Sequence, residues 1–165
     1  MRDTILAGSL VLAACTGTIG GDPDDTFKLP DGGGSTAAHL FCVTETNRYR
    51  TIEGKPAIDH SDQLEAYANQ GAAVDFSSSP HHHFISTSGG GIAFAENECP
   101  KWELAWHGND IMTLVAACIE AFYSEGPGTG DEHGHYNNMM GDHAALGCGI
   151  YESGSAVTIV QDYGE

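Results

Sequence analysis

Hydrophobic positions recur along the chain at two spacings. Leu64, Tyr67, Ala68 and Gly71 stand at i, i+3, i+4 and i+7, one stripe of a helix. Ser61 or Asp62 can cap its start, and it ends near Phe76, before the turn residues Ser77, Ser78, Ser79 and Pro80. A second stripe is formed by Ile111, Leu114, Val115, Cys118, Ile119 and Phe122 behind a capping Asp110, and it predicts a helix over 110–123. An earlier helix is predicted over about 36–49, with Leu40, Phe41, Val43 and Thr44 turned inward and Gly54 and Pro56 beyond its end. Near the C-terminus the spacing falls to two. Leu146, Cys148 and Ile150 alternate, residues 152–155 make a turn, and residues 157–160 return as a second strand. Helices early and strands late predict an α+β domain.

The first residues have a different pattern. An apolar run over 5–14, too short to span a bilayer, ends in Leu12-Ala13-Ala14-Cys15. This resembles a bacterial lipoprotein signal, which implies cleavage after residue 14 and a lipid on Cys15. An ordinary secretory signal is the alternative. Residues 15–35, acidic and rich in glycine, read as a flexible tether, and residues 36–165 as one globular domain. The expected location is therefore exported, in the cell envelope or outside it, with the membrane as a partner through the anchor. Export permits disulfides among Cys42, Cys99, Cys118 and Cys148. Four cysteines allow three pairings, and the sequence does not choose among them.

Charge narrows the partners. Six Lys and Arg against 23 Asp and Glu leave a net charge of −17 at pH 7, which disfavours nucleic acid and anionic membrane surfaces as partners and attracts cations. Nine histidines are many for 165 residues. His39, His60 and His107 read as solvated or capping residues. Two clusters stand apart, His81-His82-His83 and His133-Gly134-His135 with His143 nearby. In an extended segment, His81 and His83 would share a face and His82 would point away. Imidazoles from two loops together with carboxylates suit a divalent cation. No HExxH or CxxC supports this, and no GxSxG marks a nucleophile.

Six short motifs occur in an order that resembles the CAP superfamily (SCP/TAPS), secreted proteins related to cysteine-rich secretory proteins, antigen 5 and plant pathogenesis-related 1 proteins. They are Asn47-Arg48-Tyr49-Arg50; Leu64 to Ala73, followed by a histidine before a glycine-bearing loop; Ala95-Glu96-Asn97; Phe122-Tyr123-Ser124-Glu125; Gly134-His135-Tyr136; and Gly147-Cys148-Gly149. The resemblance covers about residues 37–163. It implies a three-layer α-β-α sandwich with a central antiparallel sheet and a cleft lined by two histidines and two glutamates. Matched motif by motif, Glu96, Glu125 and His135 are three of the four. The fourth falls within 81–83, with His83 placed first because it lies nearest the loop leading to Glu96, and His81 second. Ala95 and Phe122 replace the usual Gly and Trp. The cleft would hold a divalent metal, zinc first, through His83 and His135, with Glu96 and Glu125 orienting them. The function expected first is a non-enzymatic, lipid-anchored, monomeric binding module with no catalytic residues. The alternatives are a metal-dependent hydrolase in the same cleft and a sterol or fatty-acid carrier.

Overall fold

The computed structural model describes residues 37–165. The expected signal segment, Cys15 and the tether lie outside the described residues. In chain order the elements are α1 (Ala37–Ile52), β1 (Asp59–His60), α2 (Asp62–Ser77), α3 (His82–Thr87), β2 (Ala95–Glu103), α4 (Ile111–Ser124), α5 (Gly134–Met140), β3 (Ala145–Ser153) and β4 (Ala156–Gly164). The sheet runs β1-β3-β4-β2. It is mixed rather than purely antiparallel, because the two-residue β1 pairs parallel to β3 while β3-β4 and β4-β2 are antiparallel.

The caps form as their residue types dictate. Ser61 Oγ accepts from the Leu64 N–H at 3.3 Å, and Asp110 Oδ1 accepts from the Met112 N–H at 2.9 Å, each satisfying a donor that the helix leaves unpaired. All six positions of the predicted apolar stripe on α4 are buried, as are the four named on α2. Of the inward face expected for the first helix, Val43 is buried and Phe41 packs against the core, but Leu40 and Thr44 do not turn inward. Its buried side is Ala38, His39, Cys42, Val43, Thr46, Tyr49 and Arg50, whereas Leu40 is 45% exposed and Thr44 faces outward. Polar residues hold that inner face. Thr46 Oγ1 accepts from Gln161 Nε2 at 2.7 Å, and Arg50 Nη1 donates to the carbonyls of Met139 at 2.6 Å and Gly141 at 2.9 Å. The arginine thus satisfies carbonyls at the end of α5 that helix geometry leaves without donors.

Strand alternation sorts residues between two helical layers. On β3, Cys148 faces α1 and forms a disulfide with Cys42, while Gly147 and Gly149 face α2. A second disulfide, Cys99–Cys118, joins β2 to α4. A Cβ on Gly147 would lie 2.0 Å from the Glu65 backbone nitrogen, and one on Gly149 would lie 2.1 Å from the Ala68 carbonyl. The helix backbone therefore rests directly on the strand. Gly149→Ala must push α2 off the sheet, and a loss of about 1–3 kcal/mol or more is expected in urea unfolding. An unchanged midpoint would show that α2 can lift without cost.

Candidate functional site

β2 is an outer strand of the sheet, and candidate residues from both helical layers meet beside it. Glu96 lies on β2, opposite Asp162 of β4 in the strand register. His81 precedes α3 in a left-handed backbone conformation, with φ 61°. This turn departs from the extended reading of residues 81–83. It aims the His81 ring at Glu96, with Nδ1 2.8 Å from Glu96 Oε1, while its backbone N–H donates to Glu98 Oε2 at 2.7 Å. From the other layer, His135 opens α5, and Glu125 receives it twice. Glu125 Oε1 lies 2.5 Å from His135 Nδ1, and Oε2 accepts from the His135 backbone N–H at 2.9 Å. Phe122 lies against the His135 ring at 4.7 Å between centroids. Asn97, on the opposite face of β2 from Glu96, donates to the His135 carbonyl at 3.1 Å, and Asn138 donates to the Glu96 carbonyl at 3.1 Å. Strand and helix thus fix one another.

The rings of His81 and His135 stand 6.3 Å apart between centroids, inclined by 29°, and both side chains are about one-third exposed. His83 is placed differently. It is buried, its ring packs on Tyr67 at 4.6 Å, its backbone N–H donates to Asp75, and its Nδ1 lies near Gly71 under α2. Of the two candidates it is His81 whose ring stands across the cleft from His135. His82 is exposed, and the other histidines make structural contacts. His39 and His60 are not solvated caps: His39 Nε2 lies 3.0 Å from Asn69 Oδ1, and His60 Nε2 lies 2.7 Å from Glu65 Oε2. His133 Nδ1 meets the carbonyls of Glu125 and Gly126, closing the loop that leads to His135. His107 stacks on Trp102, and His143 lies against Tyr163.

Acidic residues surround the inner side of His81. Asp75, Glu96, Glu98 and Asp162 are all buried. The hydrogen bond that His81 donates to Glu96 raises the His81 pKa above its ordinary value, although burial opposes it. Burial raises the Glu96 pKa in turn, outweighing the attraction of His81. Burial also lifts Asp75 above the usual carboxylate range, Glu98 to about 7 and Asp162 to about 9, the last with help from Glu96 beside it. Neither Asp162 oxygen has a hydrogen-bond partner among the described residues. Glu98 and Asp162 did not emerge from the sequence. Glu96 and Glu98 are two apart on a strand and must share a face, a signal legible once β2 is recognised. Asp162 joins them only through strand register.

The donors present fit a metal ion. Each ring is held through Nδ1 by a carboxylate, which leaves each Nε2 lone pair for a ligand. A zinc ion about 2.0–2.1 Å from each nitrogen would sit roughly 3.2 Å from each ring centre. Centres 6.3 Å apart place the two nitrogens nearly opposite each other across such an ion, wider than a tetrahedral angle, so the rings must close towards each other to hold zinc.

Fold and motifs converge on one family. Residues 43–163 match the CAP family, the cysteine-rich secretory protein family, and the chain belongs to it. Among solved structures it is similar to "Crystal Structure of Na-ASP-1", with a TM-score of 0.60, 16% identity and coverage of 83% of this chain and 43% of that one. It is also similar to "Crystal Structure of Hookworm Platelet Inhibitor", with a TM-score of 0.50, 14% identity and coverage of 83% and 74%. At such identities the likeness is one of fold, and this chain spans less than half of the first structure's length. A comparison with curated proteins returns no match.

Proposed function

We propose that this CAP domain is an exported binding module whose cleft takes a divalent cation, zinc in preference, through Nε2 of His81 and His135. The observation that supports this is the paired arrangement of carboxylate and imidazole, Glu96 with His81 and Glu125 with His135, with the two rings 6.3 Å apart between centroids. Each carboxylate fixes one tautomer and one ring orientation, the role such partners take around bound metals. When bound, the ion supplies a Lewis-acid point to which an anionic or carbonyl group of a partner would coordinate. The two disulfides fit an oxidising compartment, and anchoring through Cys15 would hold the module at a membrane surface.

Zinc calorimetry tests the cleft. His81→Ala combined with His135→Ala is expected to abolish binding with circular dichroism unchanged, and Glu125→Gln to weaken it about 10–100-fold. His83→Ala should leave zinc affinity in place. Wild-type affinity in the double variant, or its loss in the His83 variant alone, would overturn the assignment.

A further inference from the structure

Behind His81 the carboxylates have acceptor capacity that the fold does not use. Glu96 and Glu98 have side chains 1% and 0% exposed. Glu96 Oε2 and Glu98 Oε1 nevertheless meet no hydrogen-bond donor among the described residues. Glu96 Oε2 is directed towards α2, 3.8 Å from where a Gly71 Cβ would stand. Asp75 Oδ2, both Asp162 oxygens and His83 Nδ1 are also buried without partners, so four carboxylates share two imidazoles, His81 and His83, in this pocket. Among the described residues, neither Glu96 nor Glu98 forms an ion pair with lysine or arginine; His81 is the partner of both. Buried carboxylates in this state call for protons or for a cation.

The geometry suits a cation. One ligand atom each from His81, Glu96 and Glu98 lie within 4.8 Å of one another. Ligands about 2.1–2.3 Å from an ion are separated by roughly 3.0–4.6 Å, depending on the angle at the metal. Small side-chain shifts bring the three into that range.

We propose that His81, Glu96 and Glu98 form an inner station for a divalent cation, separate from the outer position between His81 and His135. Two carboxylates and one imidazole favour a harder ion such as Mn2+, whereas the pair of imidazoles outside favours zinc. The inference rests on the cleft reading only in that both stations use His81. Nδ1 of that ring lies 2.8 Å from Glu96 and 4.0 Å from Glu98, so an ion inside takes the Nδ1 lone pair. The ring proton then sits on Nε2, which has no lone pair left for an outer ion. An outer ion on Nε2 keeps the proton on Nδ1, donated to Glu96. One neutral imidazole serves one station at a time, so inner and outer ions exclude each other.

The test titrates MnCl2 into the full chain at pH 8 in about 0.15 M salt, which screens the acidic surface. Binding is read from loss of the free Mn2+ electron paramagnetic resonance signal. Wild type should take up one tight Mn2+. Glu98→Gln should weaken that uptake at least about 10-fold, while His135→Ala leaves it within about 3-fold. Zinc calorimetry should give the reverse, with loss in His135→Ala and retention in Glu98→Gln. Zinc added to the Mn2+ complex should release the manganese. Should Glu98→Gln fail to fold by circular dichroism, Glu98→Asp, which withdraws the oxygen by one methylene, takes its place with the same expectation. No tight Mn2+ uptake by wild type, or equal loss in the Glu98 and His135 variants, overturns the inner station. Simultaneous binding of both metals overturns the exclusion. Tight Mn2+ uptake without any zinc binding refutes the outer reading and leaves the inner one standing.

Discussion

Replacing Cys42 and Cys148 together by Ala is expected to lower stability by about 2–5 kcal/mol. The bridge spans a sequence separation of 106 and closes most of the domain into one loop, whereas Cys99–Cys118 spans 19. Loop-closure entropy favours the longer bridge, so the loss should exceed that from removing Cys99 and Cys118 in the same way. The effect is also local. Cys42 lies on the buried side of α1, one turn before Thr46, which receives Gln161. Tyr163 donates to Gln161 Oε1, and Asn97 donates to that same oxygen and to the His135 carbonyl. Loosening α1 therefore acts at the end of a chain of hydrogen bonds that reaches the cleft. Thermal unfolding by circular dichroism is the measurement, with a fall in Tm of roughly 10 °C or more for a domain of this size. A Tm within about 2 °C of wild type would mean that the bridge constrains nothing the packing does not already hold.

The second large effect concerns Asp162. Its carboxyl is fully buried, has no donor among the described residues, and is pushed up to about 9. In the unfolded chain the same group titrates near about 3.9. Between those values the native state keeps a proton that the unfolded state has lost. Native protein then binds more protons, and stability falls as pH rises through the window. Glu98, raised to about 7, and Asp75, Glu96 and His81, raised for the causes given above, act in the same direction. His143, lowered by burial, opposes them only below its ordinary range. In EDTA the protein should therefore melt at higher temperature at pH 5.5 than at pH 8.5. Asp162→Asn should remove much of that difference, by stabilising the protein on the order of a few kcal/mol at pH 8.5 and little at pH 5.5. A melting profile equally steep in the variant would show that Asp162 does not carry the dependence.

Long, regular elements were legible in the sequence because their burial is decided locally. The α4 stripe, the Ser61 and Asp110 caps and the Leu146, Cys148, Ile150 alternation each depend on residues within one element. Strand β2 was harder to see. Pro100 interrupts it, the register shifts between Cys99 and Trp102, and its buried positions include Glu96, Asn97 and Glu98, so no apolar alternation marks it. The face of α1 is only partly legible, through Phe41 and Val43, because its buried side includes His39, Thr46 and Arg50, whose burial depends on partners from distant segments. Glu96, Glu125 and His135 were found through motif order. The choice between His81 and His83 turns on one left-handed residue, and nothing in three consecutive histidines signals which of them adopts that conformation.

The strand that carries Glu96 and Glu98 is also an outer strand of the sheet, and such edges invite another chain to add itself. Here the second half of the edge is blunted. Pro100 has no N–H to offer, Lys101 is turned by a positive φ of 51° and gives its N–H to Thr158 within the sheet, and both residues are exposed. A β-zipper between copies would meet a missing donor, a kink and a like charge in succession. The carboxylates of β2 thus sit at the rim of the sheet without that rim becoming a template for aggregation.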